Sequence, residues 1–264
     1  MAITTLDGWV ASAKQHISYV KTAARATIAA AWFSLFDLAG NPGAGVLAGT
    51  STTAGVVPTD ATAGTPAVSA FGASATGYLS QVEFGSSVAC RIKIFDMLFK
   101  AGAYAFNAAV TLAAQPSFSS RVPGGTDFTD TQIWIEFVTA STGVQSVAVT
   151  YTNQAGVAAK TTGVVVTAAG TIGRMFQMPL AAGDTGVQKI DSVTGTVATV
   201  GTFNVLVLRP LWSGRVKSAN DGDVHGLDKT GMPVLYADSA LIVVVAADGT
   251  TSGVPEVEFV IANG

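Results

Sequence analysis

"TQIWIEFV", residues 131 to 138, sets how the rest of the chain is read. Its alternation puts Ile133, Ile135 and Phe137 on one face and Trp134, Glu136 and Val138 on the other, a period of two that fits a strand with one largely buried face. "ALIVVVAA", residues 240 to 247, is apolar on both faces, as expected of a central strand or of one covered by another subunit. "YLSQVEF", "CRIKIF", "SVAVTYT", "TGVVVTA", "VTGTVATV", "FNVLVLRPLW" and "VEFVIANG" share this character. Nine short strands separated by Gly, Asp, Asn or Pro predict a mainly β chain, with an antiparallel sandwich or jelly-roll-like body over residues 78–264. Two segments, "IWIEFVTASTGVQSVAVTY" and "LIVVVAADGTTSGVPEVEFVI", each run strand, small Gly/Thr loop, strand, and their turn chemistry predicts two hairpins.

Upstream of this body the pattern changes. Leu6, Val10, Ala13, Ile17, Val20 and Ala24 recur at steps of three and four, which predicts a helix over residues 5–24 within an N-terminal segment, 1–37. Thr4 with Asp7 resembles a capping box at its start. Lys14, Lys21 and Arg25 fall toward its carboxyl half, where cations suit the helix dipole.

Residues 38–77 form an extended Gly/Ala/Thr-rich arm in which Asp60 is the one formal charge between Leu38 and Gln81. Pro42, Pro58 and Pro66 favour extended backbone there. Such a segment lacks the charge that keeps a disordered linker solvated. It is expected to lie on an apolar surface supplied by neighbouring subunits, the alternative being a flexible tether.

The 264 residues suffice for a large core without staples. Charged residues are 12% of the chain and the net charge is −3, so the surface is expected to be neutral and hydroxyl-rich. No basic field for direct nucleic-acid binding is present. The apolar run "ATIAAAWFSLF", residues 26–36, lies between Arg25 and Asp37 and is far shorter than the ~20 residues of a membrane-spanning helix. The first fifteen residues lack the pattern of a secretory signal, so a soluble protein made in a cytoplasm is expected. Cys90, the single cysteine, sits in a strand-like run and reads as a small buried hydrophobe.

No nucleophile-and-base arrangement is legible: His16 and His225 have no evident partners, and no Ser occupies a G-x-S-x-G turn. No cofactor motif is present either. "NDGDVHGLDKTG", residues 220–231, offers Asp221, Asp223 and Asp228, with His225 among them, as cation ligands. The twelfth position of a calcium loop counted from Asp221 is Met232 instead of Glu, and an exposed Asx/Gly turn is the other reading. Trp9, Trp32, Val56, Val57, Phe71, Arg121, Arg209 and Trp212 are the expected interface residues, because aromatic and Arg side chains anchor interfaces. For Arg121, Arg209 and Arg215, snorkelling over the chain's own core edge is the alternative. Trp9, Trp32, Trp134 and Trp212 could also serve as sugar-stacking platforms if exposed, or else as packing residues.

"RIKIFDMLFKAGAYAFNA", "RVPGGTDFTDTQIWIE", "VTYTNQAG" and "FNVLVLRPLWSGRV" resemble structural proteins encoded in the head modules of tailed bacteriophages. That resemblance implies a virion location, copies of the chain and other capsid proteins as partners, a homo-oligomer, and no catalytic residues. The commonest phage shell fold has a long spine helix that this sequence lacks, so a decoration, cement or other head component is the expected role. A jelly-roll coat protein, a tail component and a carbohydrate- or host-recognition module are the alternatives.

Overall fold

A computed structural model describes residues 3–72, 76–167, 170–197 and 200–264. Residues 73–75 of the arm, residue 168 of "TGVVVTA" and residues 198 and 199 of "VTGTVATV" lie outside the described residues. In chain order the elements are α1 (Leu6–Ala11), β1 (Lys14–Lys21), β2 (Trp32–Ser34), β3 (Gly40–Asn41), β4 (Thr76–Ser86), β5 (Cys90–Ala105), β6 (Ala109–Thr111) and β7 (Gln132–Thr139). They continue with β8 (Gln145–Asn153), β9 (Lys160–Thr161), β10 (Val165–Thr167), β11 (Arg174–Gln177), β12 (Val187–Gly195) and β13 (Thr202–Val216). The chain closes with β14 (Asp221–His225), α2 (Leu227–Thr230), β15 (Val234–Tyr236), β16 (Leu241–Ala247) and β17 (Pro255–Asn263).

The expected mainly β, antiparallel body is what forms, and its centre is a closed barrel in the order β11-β2-β16-β5-β13-β7. A sheet ordered β14-β4-β17-β1-β3 packs on one part of the barrel's outside, and a sheet ordered β10-β8-β12-β6 packs on another. Phe95, Met97, Trp134, Leu206, Ile242 and Val244 fill the barrel. Tyr19, Phe84, Phe259, Ile92, Trp212 and Val243 join the first sheet to it. Tyr151, Ile190, Phe99, Phe137 and Phe203 join the second.

This arrangement explains why "TQIWIEFV" has no solvent face. In β7, Ile133, Ile135 and Phe137 point to the second flanking sheet while Trp134 packs inside the barrel, and Glu136 shares the face of Trp134 and is itself buried. β16 is buried along its whole length, between β2 and β5, as a central strand. The long strand β5 serves both flanking layers, Ile92 and Ile94 packing into the first and Phe99 and Ala101 into the second. Between them the register steps from Met97 opposite Leu208 to Phe99 opposite Val207, and bulged Leu98 swaps which alternate residues face outward.

The helix expected over residues 5–24 is corrected. α1 ends at Ala11, Thr5 rather than Thr4 caps it with Oγ1 accepting from the Gly8 N–H at 3.0 Å, and residues 14–21 are the strand β1. In β1 the inward face is Ile17, Tyr19 and Lys21, at steps of two, so Val20 of the expected stripe falls on the other face. β17 then decides the outcome by pairing with β1 from Lys14–Ala262 to Val20–Glu256, a long-range pairing that no local pattern reveals. Lys21, read as a helix-end cation, is instead fully buried.

The two expected hairpins are also corrected. β7 pairs with β11 and β13 while β8 pairs with β9, β10 and β12. β16 pairs with β2 and β5 while β17 pairs with β1 and β4. In both cases the small loop carries the chain from the barrel to a flanking sheet.

Candidate functional site

β16 covers β5 only from Cys90 to Asp96, so the edge of β5 beyond that point needs another partner. The arm supplies it. Val56 exchanges both backbone hydrogen bonds with Lys100, at 2.8 and 3.0 Å, and Ser51 O accepts from the Gly102 N–H at 3.1 Å. Tyr104 donates its hydroxyl to Thr52 O at 2.8 Å, and Arg121 donates to Pro58 O. Farther along, the Gln15 carboxamide pairs with both backbone groups of Ser69 at 2.8 and 2.9 Å. The low-charge arm therefore lies on its own chain, which corrects the expectation that neighbouring subunits hold it. Its small residues permit the approach: a Cβ on Gly49 would stand 2.6 Å from Gly102 N, and one on Gly55 would stand 2.2 Å from the Phe99 ring. Only glycine brings the arm's backbone this close.

Beneath the arm, three polar side chains share one face of three adjacent strands. Asn204 on β13 is directly opposite Glu136 on β7, and Lys100 on β5 is opposite Leu206, two residues from Asn204 on the same face. Asn204 Nδ2 donates to Glu136 Oε2 at 3.0 Å and to Leu47 O at 2.6 Å, while Asn204 Oδ1 accepts from the Gly49 N–H at 2.9 Å. Lys100 Nζ donates to Val46 O at 2.8 Å and stands 4.6 Å from the centre of the Phe36 ring. Burial pushes the Glu136 carboxyl above its usual range, opposed by Lys100 and by hydrogen bonds from Asn204 and Ser34. Burial pushes the Lys100 amine below its usual range, opposed by Glu136 and Asp37. A groove of about 340 Å³ between Phe36, Val46, Gly49, Val56, Pro58 and Lys100 lies over this cluster.

A second buried cluster marks the seam between the two flanking sheets. Asp96 is fully buried and accepts from Arg121, from Arg209 at 3.1 Å, from the Ser239 hydroxyl at 3.0 Å and from the Ala240 N–H at 3.0 Å. Lys21 forms a third, donating to Leu38 O at 3.1 Å and Pro42 O at 2.8 Å with its ammonium 4.8 Å from the Tyr19 ring centre.

Desolvation takes the Lys21 pKa from 10.5 down to about 8. Between those values the unfolded chain binds the proton that the folded chain has released, so stability rises with pH. Tyrosines buried with raised pKa values, such as Tyr104 at about 12, bring the opposite trend above 10.0. The urea midpoint is therefore expected to increase between about pH 8 and pH 10. In Lys21→Met this slope is expected to shrink, the lowered pKa values of Lys93 and Lys100 supplying the remainder; an unchanged slope would remove Lys21 as a source.

Of the residues expected at an interface, Arg121, Arg209, Trp212 and Phe71 are buried within the chain. The two arginines satisfy Asp96, and Trp212 packs edge-on against Phe84 with its Nε1 donating to His225 Nδ1 at 3.0 Å. These intrachain roles replace the expected interface ones. Val56 and Val57 are half-buried in the arm, and Trp32 is half-buried with the Lys93 ammonium 4.8 Å from its ring centre. Trp9 is half-buried on α1. As sugar-stacking platforms, Trp134 and Trp212 are excluded by their burial.

The acidic loop is corrected as well. Asp221 and Asp223 belong to β14, which pairs with β4 instead of forming an open turn, and Asp228 sits on α2. Asp223 Oδ2 faces His225 Nε2 at 3.5 Å and Lys229 Nζ at 3.8 Å, and its pKa is held down chiefly by the Val224 N–H. On the outer face of the same sheet Glu83 is directly opposite Glu258. Among the described residues no group of three or more His, Cys, Asp or Glu side chains is placed to hold a metal ion.

Sequence reasoning missed Asp96, Lys100, Glu136 and Asn204. The available signal was a lone charge within an apolar run, as in "IFDMLFKAG": a polar group inside such a strand must be partnered.

No protein-family model matches the sequence, and no curated protein matches it. Among solved structures, the chain is similar to the VP2 subviral particle of infectious bursal disease virus at 9% identity, covering 96% of this chain and 80% of that one, with a TM-score of 0.20. It is similar to the T13 particle of that virus at 11% identity, covering 95% and 77%, with a TM-score of 0.21. Similarity of this degree identifies neither a fold nor a role.

Proposed function

We propose that this chain is a non-enzymatic structural protein of a bacteriophage virion, a decoration, cement or other head component that binds copies of itself and other virion proteins. The observation that carries this reading is α1. This helix has six residues, none of them buried, and it exposes Leu6 and Val10, one turn apart, at 64% each. Isolated helices of fewer than about 12–15 residues are marginal in water. Among the described residues α1 is fastened by the Thr5 cap, by the Lys14 ammonium on the carbonyls of Trp9, Val10 and Ser12, and by half-buried Trp9, while Leu6 and Val10 stay outside. An apolar stripe on so short a helix gains stability when another subunit covers it. The low charge of the chain and its resemblance to phage head proteins support the same reading.

Sedimentation and native mass measurements test it. The chain is expected to form a discrete oligomer, and the double variant Leu6→Asp, Val10→Asp is expected to weaken association at least about tenfold, equivalent to 1.4 kcal/mol, with its unfolding midpoint retained. A wild-type chain that stays monomeric at high concentration and is missing from purified particles would overturn the reading.

A further inference from the structure

We propose that Lys100 and Asn204 become joined by an isopeptide bond between Lys100 Nζ and Asn204 Cγ, formed within the folded chain and promoted by Glu136. The inference begins with placement. Lys100 and Asn204 are diagonal neighbours on one face of the β5–β13 pair, a separation of roughly 7–8 Å between backbones that a lysine side chain spans. Their side-chain nitrogens reach consecutive carbonyls of the arm, Val46 O and Leu47 O. All three residues of the cluster are nearly or wholly removed from solvent.

Each atom of the carboxamide also meets a group suited to the exchange. The Gly49 N–H points at Asn204 Oδ1, where negative charge develops when an amine adds to Cγ, as a donor in an oxyanion hole does. Glu136 Oε2 lies at Nδ2, the nitrogen that must leave. The shared desolvation described above favours an uncharged amine and a protonated carboxyl, the forms of a nucleophile and a proton donor. The neutral Lys100 amine adds to Cγ, the new C–N bond forms, and the Cγ–Nδ2 bond breaks. Glu136 gives its proton to the departing nitrogen and regains one from the lysine nitrogen, so ammonia is the sole by-product and no oxidant or other reactant enters. Gly102 makes room for this chemistry, since a Cβ there would stand 2.4 Å from Asn204 Oδ1. The arm leaves the three side chains nearly or wholly buried beneath the groove, which limits the access of water to the intermediate. The bond would tie two neighbouring barrel strands covalently whether or not the chain assembles into a virion.

Intact-mass spectrometry of the purified, folded full-length protein, denatured just before measurement, tests the proposal. The expected mass is below that of the sequence by one ammonia, and proteolysis is expected to release a branched peptide joining the Lys100 and Asn204 segments. Lys100→Arg and Glu136→Gln are each expected to restore the full sequence mass. A folded wild-type protein at full sequence mass overturns the proposal. So does an ammonia deficit confined to a linear peptide, which would signify cyclisation at an asparagine instead of a cross-link. Because the wild-type mass and peptide map decide the matter, the result stands even if a variant fails to fold.

Discussion

Replacing Asp96 by alanine is expected to cost the fold about 3–5 kcal/mol, the range for removing one member of a buried ion pair. The cost arises from what remains. Arg121 and Arg209 have side-chain exposures of 3% and 8%, so without Asp96 two guanidinium groups stay in the seam with no carboxylate. Ser239 and the Ala240 N–H lose their acceptor as well. Since a domain has a total stability of about 5–15 kcal/mol, urea unfolding should show a large drop in midpoint, or the variant should fail to accumulate. Arg215→Ala provides the comparison. Its partner Asp248 is 3.3 Å away on the surface, with both side chains about half exposed, and loss of an exposed pair costs about 0–1 kcal/mol. Equal effects from the two substitutions would show that Asp96 is not the electrostatic centre of the seam.

Trp134→Ala is expected to destabilise by about 3–5 kcal/mol, the range for a buried large aromatic residue. The indole fills the barrel beside Phe95, with ring centres 5.6 Å apart in an edge-on arrangement, and its Nε1 donates to Gln132 Oε1 at 3.0 Å. The Lys93 ammonium is 5.6 Å from the same ring. A barrel closed on all sides relaxes poorly around a lost side chain, so the cavity persists. Trp134→Phe should retain most of the stability, losing chiefly the one hydrogen bond, worth about 0.5–1.5 kcal/mol. Chemical denaturation with both variants separates packing from hydrogen bonding; a Trp134→Ala midpoint near wild type would mean that the barrel collapses onto the space.

The strands from Tyr78 onward are legible in the sequence because β-branched and aromatic runs between Gly, Asp and Pro mark them locally. What joins them is not local. Residues 14–21 carry spacing compatible with a helix, and only the pairing of Tyr19 with Val257 and its neighbours, contributed by the far end of the chain, settles them as a strand. "TQIWIEFV" announces a strand and conceals its setting: Glu136 looks like a solvent-facing residue until β13 brings Asn204 opposite it. The arm's lack of charge correctly signals that it needs a surface, and its glycines carry the missing information, since at Gly49 and Gly55, where backbone or an aromatic ring lies directly beneath, only glycine fits. Arg121 and Arg209 stand out by their rarity, while the acidic partner that draws them inward, Asp96, lies inside an apolar segment quoted for its hydrophobicity.

The pairing of β1 with β17 also bears on biosynthesis. As the polypeptide leaves the ribosome, residues 14–21 emerge long before Glu256–Ala262, the residues that complete their ladder. An unpaired edge on β1 must be tolerated until β17 has been made, and such edges invite mispairing with other nascent copies. Productive maturation at high expression is accordingly expected to need chaperone help until β17 slots between β1 and β4.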